Sequence, residues 1–412
     1  LIYLRLCLVR NLNVPLTRDI LNHPCEHTPV VAEYLRGLFD DSKPIESNPL
    51  LQYTSLVRQL LIASPCKYLS KTDLGTLMIV VIAMEPLSCM VEIVGCVPQL
   101  RSFVSKDLQW IRDQLNSTKE EVREYASVLY SLVLSSSTTD FDGAISYLFK
   151  QTEGKNLESQ HGAILGIGTC LETKMADGAI SRDTYKKSVT TLAAFLKQQN
   201  PLLAGGACTS IGLLGRRSPL PLDDGKPKEI GSPDAKRPAN DIVTKMDVVN
   251  RLMDVMNNTK LSAKIREKAA KALGLLCVGE KFPHTKEVIQ GFLNTAKDTK
   301  DVEVHFTIGE SLVMCCQSVW SPEARNPWTT LPQNHVPNTS EPMMDDNLEC
   351  LLDELLKLAN QLHPNSKQAS CIWLLAVLKG CGEREPISKR LQLLQNTFMD
   401  LLCENNGEWL TG

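Results

Sequence analysis

The sequence predicts an all-α fold, a HEAT/armadillo-like α-α superhelix (solenoid), and three observations carry that prediction. First, a string of small residues set among Leu, Ile and Val returns along the chain. It reads VREYASVLYSLV from Val122, QHGAILGIGTCL from Gln160, GGACTSIGLLGR from Gly205, IREKAAKALGLL from Ile265, VHFTIGESLVMCC from Val304 and KQASCIWLLAVL from Lys367. Second, an amphipathic stretch with apolar residues three and four apart precedes each later copy, over 141–151, 185–198, 242–256, 286–296 and 348–360. Third, no segment alternates apolar and polar residues convincingly, as a half-buried strand would.

With Ala126, Ala163, Ala207, Ala270, Gly309 and Ala369 taken as equivalent positions, most intervals are about forty residues, the period of helix-pair repeats. Two intervals exceed this by about twenty, and each contains a Pro-rich stretch, Ser218 to Pro238 or Ser321 to Pro342, whose removal restores the period. Small residues on the inner helix of each pair let its backbone approach its partner and the next repeat, while Leu and Ile fill the gaps. The organisation expected is helical repeats without clear phase over 1–104, HEAT-like repeats over 105–217, 241–320 and 345–406, flexible Pro-rich inserts over 218–240 and 321–344, and an atypical tail over 407–412. Helices are expected upstream over 29–39, 50–62 and 73–84. Asn200-Pro201 and His363-Pro364 read as stops after outer helices, and Gly279 as a stop after an inner one.

At 412 residues the chain exceeds what one compact core organises, which favours an elongated array. Hydrophobic residues at 43%, aromatics at 5% and charged residues at 22% describe an ordinary folded, helical chain. Forty-four basic and forty-seven acidic side chains leave a charge of −3, without the basic excess that a nucleic acid or an anionic membrane would attract. The longest apolar run, Leu74 to Met84, is about half the length needed to span a bilayer and stops at Glu85-Pro86, so no membrane insertion is expected. Fourteen cysteines sit mostly inside apolar helical patterns, as Cys170, Cys208, Cys277 and Cys371 do, and read as buried thiols in a reducing compartment. The chain opens on Leu1 with no signal segment, which reads as the interior of a longer protein whose cut ends would expose core-like surface.

The same residues offer little chemistry. His23, Cys25 and His27 place three potential zinc ligands within five residues but lack a second ligand pair and read as a surface turn. Cys315-Cys316 reads as packing rather than redox chemistry, because nothing beside it lowers a thiol pKa. Gly162, Gly166 and Gly168 have no preceding strand, no Lys-Ser/Thr and no acidic partner, so close helix packing explains them better than a nucleotide does. No GxSxG or HExxH occurs, and the seven histidines show no pairing with a nucleophile. The expectation is a non-catalytic chain without cofactor or metal. The Pro-rich stretches carry Ser-Pro pairs at Ser218, Ser232 and Ser321, where a proline-directed kinase would add about two negative charges per site.

The string HPNSKQASCIWLLAVL from His363 to Leu378, with VREYASVLYSLV and LESQHGAILGIGTCL, resembles the proteasome adaptor and scaffold family, giant HEAT-repeat proteins associated with the proteasome holoenzyme. The resemblance extends from Leu1 to about Asn406 and departs from the family where the chain ends Asn406-Gly-Glu-Trp-Leu-Thr-Gly. It implies an adaptor that links the regulatory particle to the core particle and couples proteasomes to vesicle, endosome or motor proteins. It further implies a cytoplasmic and nuclear location with association to endoplasmic reticulum, endosomes and centrosome, and carries no catalytic motif. Two rivals stand beside it: an importin-like transport receptor, which a charge of only −3 disfavours, and a hydrolase with a helical lid, which the missing nucleophile disfavours.

Overall fold

The computed structural model describes residues 87–403 apart from 89, 92–93, 106–107, 136–139, 178–179, 199, 226–242, 279–280 and 325–344. The expected helices over 29–39, 50–62 and 73–84, the motif His23–Cys25–His27, Ser232, Gly279 and the tail 407–412 therefore lie outside the described residues. Among the described residues the structure is helical throughout, with no strand. The chain divides into two compact units, with the break between Ile180 and Ser181.

In the first unit a 3₁₀ turn, Pro98–Leu100, leads into α1 (Arg101–Val104), followed by α2 (Gln109–Leu115), α3 (Glu120–Leu134), α4 (Phe141–Thr152) and α5 (Leu157–Asp177). Helices α2 and α4 are outer helices, paired with the inner helices α3 and α5, which lie side by side. Asp140 starts α4 by accepting a hydrogen bond from the Gly143 N–H at 2.9 Å. The two inner helices are tied by Thr169, whose hydroxyl donates to the Ser127 carbonyl at 3.0 Å, and by Thr173 Oγ1 donating to Ser131 Oγ at 3.1 Å. Residue pairs forty-two apart thus meet across one repeat. Gly162 of α5 is seated on the Leu115 carbonyl that ends α2, where a β-carbon has no room.

The second unit contains α6 (Arg182–Phe195), α7 (Pro201–Arg217), α8 (Lys245–Asn257), α9 (Ala263–Leu276), α10 (Thr285–Asn294), α11 (Val302–Gln317), α12 (Asp346–Ala359) and α13 (Pro364–Cys381) as four successive pairs. It ends with the short α14 (Glu385–Lys389) and with α15 (Leu391–Cys403). The outer helices α6, α8, α10 and α12 each bury one stripe. In α12 that stripe is Leu348, Leu351, Leu352, Leu355 and Leu356, each contributing about 1.5–3 kcal/mol if fully buried. The inner helices α7, α9, α11 and α13 run side by side, and Ala126, Ala163, Ala207, Ala270, Gly309 and Ala369 are all buried on inner helices, as the register requires.

The outer helices α6 and α12 end at Phe195 and Ala359, just before Asn200-Pro201 and His363-Pro364, and each proline also opens the next helix. Asn200 caps α7 by accepting hydrogen bonds from the Leu202 and Leu203 N–H groups at 3.0 and 3.3 Å, with Pro201 at the first helical position. His363 and Pro364 hold the same places in α13. Pro is tolerated there because the N–H it lacks would have no intrahelical acceptor anyway. A capping box formed by Thr244 and Asp247 starts α8.

The expectation of flexible inserts is corrected at both described edges. Leu220 and Leu222 are 3% and 8% exposed, and the carbonyls of Asp223 and Asp224 accept hydrogen bonds from the Lys245 and Met246 N–H groups at 2.8 and 3.0 Å. The stretch 218–225 thus docks onto the start of α8, turning at Gly225, whose φ of +78° is the left-handed conformation that glycine adopts without strain. The Pro- and charge-rich average of the insert hid the Leu-Pro-Leu that anchors its beginning. At the second insert, residues 322–324 form a 3₁₀ turn, Arg217 donates to the Ala324 carbonyl at 2.7 Å, and Ala324 packs on Leu275, Val278 and Met314.

Inner helices in the second unit approach one another most closely where small residues meet. A β-carbon on Gly274 would lie 2.8 Å from the Cα of Ser311, and one on Gly212 would lie 3.0 Å from the Cα of Ala272. Backbone atoms cannot rotate aside as a flexible side chain can. Gly274→Leu and Ala270→Leu are therefore expected to lower stability by about 1–3 kcal/mol, read as a lower midpoint in thermal or urea unfolding. An unchanged midpoint would show that α9 does not pack on α11 through this face.

Candidate interaction surfaces

Buried arginines at helix starts hold the pairs together and so fix what each unit presents to solvent. Arg123 and Arg266 occupy the same local sequence, Val122-Arg-Glu and Ile265-Arg-Glu, and are 2% and 3% exposed. Arg123 donates to the Ser117 carbonyl at 2.6 Å and, from Nε, to His161 Nδ1 on α5 at 3.0 Å. Burial pulls its guanidinium below the usual value, opposed by Glu120, Glu158, Glu124 and Glu121 around it. Arg266 donates to the Met256 carbonyl at 2.8 Å, to Thr299 Oγ1 at 2.9 Å and to the Asp301 carboxylate that precedes α11. Each arginine therefore closes its own helix pair and reaches the next inner helix. Arg384 plays a related part after α13, binding the Asp345 carboxylate and the Cys316 carbonyl.

Between these anchors the inner helices leave a solvent face. Lys264 and Lys271 are exposed on α9, Phe306 (58% exposed) and Glu310 on α11, and Leu375 (54%) and Lys379 on α13. Burial, with the carboxylates of Glu303 and Asp301 nearby, raises Glu267 on the same side of α9. In the first unit Arg112 stacks over Tyr147 at 4.4 Å and donates to Tyr130 Oη at 3.2 Å. Helix α15 buries Leu394 and leaves Leu391, Leu393, Met399 and Leu402 exposed.

The candidate residues fall as follows. Ser218 is half-buried, its N–H donating to the Leu214 carbonyl and its own carbonyl accepting the Tyr185 hydroxyl at 3.0 Å. Ser321, expected on an open loop, is 1% exposed at the start of the 3₁₀ turn, so a kinase would reach it only if that turn opened. Cys315 and Cys316 are fully packed, with Cys315 Sγ 3.6 Å from Cys277 Sγ. The contact with Cys277 and burial push the Cys315 thiol up, burial pushes up Cys316, and burial pushes Cys208 up to about 12. Protonated, buried thiols are poor nucleophiles. Cys371 is half-buried, and burial raises it as well. Gly162 and Gly166 lie inside α5, against Leu115 and Leu148, and Gly168 is buried in the same helix. No helix among the described residues is long and apolar enough to cross a membrane.

Residues 72–214 match the family described as ECM29, ARM-like repeats. The human protein named proteasome adapter and scaffold protein ECM29 is 30% identical over 436 aligned residues, which take in 98% of this chain and 22% of that protein. The Drosophila melanogaster protein named proteasome-associated protein ECM29 homolog is 24% identical, covering 98% of this chain and 21% of its own length. The chain thus spans about a fifth of these relatives. Among solved structures, Kap121p aligns with 95% of this chain and 35% of its own at 12% identity and a TM-score of 0.49.

One buried group at an inner-helix start makes a prediction about pH. His305 is 0% exposed, its Nε2 lies 3.1 Å from the Thr299 carbonyl, and its ring meets Trp373 edge-on at 5.5 Å. Burial lowers its pKa from 6.5, the Arg266 charge adds to that, and the Thr299 carbonyl and Asp301 act the other way. The folded state therefore binds the proton less readily than the unfolded chain. The resulting stabilisation is present above about pH 6.5 and is lost as pH falls below it. The unfolding midpoint is expected to fall between pH 7.5 and 5.5, with a shallower slope in His305→Gln; equal slopes in the two proteins would contradict the assignment.

Proposed function

The chain is homologous to the ECM29 proteins along nearly its whole length, and on that premise we propose that it is a non-catalytic scaffold segment that binds the proteasome. The observation that supports this reading most is the division of labour on the inner helices. One side is closed by small-residue contacts and buried arginines, and the other presents long apolar and charged side chains to solvent, as Phe306, Glu310, Leu375 and Lys379 do. Stacked helix pairs of this kind offer extended, shallow contact areas and act through shape and complementary charge rather than through a reacting group.

In its finer form the proposal has this segment contribute contacts to the regulatory and core particles, so that the array links the two. It also has the array couple proteasomes to vesicle, endosome or motor proteins, in the cytoplasm and nucleus and at the endoplasmic reticulum, endosomes and centrosome. Regulation by phosphate at Ser218 or Ser232 fits the Ser-Pro sequence at those positions.

Purified chain mixed with purified proteasomes and resolved by native electrophoresis tests the central statement. The expected result is co-migration with proteasome particles that weakens when Phe306→Glu and Leu375→Glu remove the apolar contacts. Helical, folded chain that never co-migrates with either particle would overturn the reading.

A further inference from the structure

Among the described residues Ser318, which follows α11, is the one residue other than glycine with a positive φ, +50° at ψ −131°. That pair of angles lies outside the small left-handed region open to residues with a β-carbon, so the backbone is strained there. The chain continues through two 3₁₀ turns, Ser318–Trp320 and Pro322–Ala324. These carry it back to the ends of the two preceding inner helices. Ala324 packs on Leu275 and Val278 at the end of α9 and on Met314 of α11. Arg217, the last residue of α7, donates to the Ala324 carbonyl at 2.7 Å, and Arg216 lies 3.7 Å from the Glu323 carboxylate. Strain of this kind persists only while surrounding contacts hold it.

Ser321 joins the two turns. Its N–H donates to the Ser318 carbonyl at 2.9 Å, its carbonyl accepts from the Ala324 N–H at 3.0 Å, and its Oγ accepts from the Glu323 N–H at 3.4 Å. The side chain is buried, while Pro322 beside it is exposed. A hydroxyl fits that place. A phosphate, with about two negative charges and Glu323 as its neighbour, does not. A docked segment and a phosphorylated Ser321 therefore exclude each other.

We propose that residues 318–324 form a clasp over the ends of α7, α9 and α11, and that phosphorylation of Ser321 by a proline-directed kinase holds the clasp open. Local opening, favoured by relief of strain at Ser318, presents the Ser321-Pro322 pair. The hydroxyl oxygen attacks the γ-phosphorus of a nucleoside triphosphate bound to the kinase. The new O–P bond forms as the bond to the bridging oxygen breaks, the nucleoside diphosphate leaves, and the hydroxyl proton passes to the base of the kinase. The modified segment cannot dock again, and Leu275, Val278 and Met314 lose the cover of Ala324. Because the kinase meets the open form alone, the rate of modification reports how often the clasp opens. The clasp does not depend on the scaffold reading, and its test uses no proteasome.

The test treats the purified full chain with a proline-directed kinase and ATP and follows Ser321 by mass spectrometry. A capped synthetic peptide of residues 317–324 gives the rate of the fully open segment. Wild-type chain is expected to be modified at Ser321 at least about ten-fold more slowly than the peptide. Arg217→Ala, which removes a charge-assisted hydrogen bond from the closed form, should raise the rate several-fold toward that of the peptide. Ser318→Gly, which adopts the same backbone angles without strain, should lower it about five-fold or more relative to a peptide carrying the same change. After modification the Ser321 and Ala324 amides should exchange hydrogen about ten-fold faster. Circular dichroism and the unfolding midpoint check that the variants are folded, and if Arg217→Ala fails that check, Ser318→Gly decides alone. Phosphate on Ser321 with unchanged exchange would overturn the proposal, because docking and phosphate would then coexist. So would equal rates in wild type and both variants. A folded chain that takes no phosphate at Ser321 while the peptide is fully modified would overturn it as well.

Discussion

Consecutive inner helices of the second unit come so close that several positions on their facing surfaces have no room for a β-carbon. This constraint decides most of what surrounds it. Where Gly274 meets Ser311 and Gly212 meets Ala272, the opposing atoms are backbone, so the spacing cannot relax by a rotamer change. Once two inner helices are fixed at that distance, the outer helices have one place left in which to bury their leucine stripes. The first unit uses the same device with different neighbours, since Gly162 rests on the end of α2 and Gly166 on Leu148 of α4.

Close approach by itself would leave acceptors between the helices without donors, and the buried arginines answer that need. Arg266 supplies donors to a carbonyl in the last turn of α8, a threonine hydroxyl and a carboxylate at once, and Arg123 does the equivalent with a carbonyl and an imidazole. A guanidinium can do this because it carries five donors in a fixed plane, whereas a lysine in the same place would satisfy fewer groups and lose its charge more readily. The long-range ties at Thr169, Ser311 and Trp373 then lock register: the Ser311 hydroxyl donates to the Ala270 carbonyl at 3.0 Å and Trp373 Nε1 donates to the His305 carbonyl at 3.0 Å. Residues on the opposite side of the same helices, Phe306 and Leu375 among them, are left facing solvent.

The helix-pair register was legible in the sequence because it is written in residue size. Ala270, Gly274 and Gly309 could be placed on a packed face before any coordinates, and the outer helices were placed to within a few residues. What misled was local composition. Residues 218–225 look like loop and are anchored by two leucines. The surface sites were harder to read. Burial of Arg123 and Arg266 is visible only on noticing that both follow a β-branched residue and precede Glu at the same place in the repeat.

The account rests on mutual exclusion between small residues of neighbouring inner helices, and one pair allows that exclusion to be exchanged. A β-carbon on Gly309 of α11 would lie 2.9 Å from the β-carbon of Ala376 on α13. Gly309→Ala, Ala376→Gly and the double variant form a cycle in which the intrinsic helix preferences, about 1 kcal/mol each way, cancel in the double variant. Urea unfolding is predicted to show the double variant recovering most of what Gly309→Ala loses through crowding, with a coupling of about 1 kcal/mol or more. Single effects that add to within about 0.5 kcal/mol would mean that the two helices do not meet through these residues, and the constraint proposed for the whole array would be wrong.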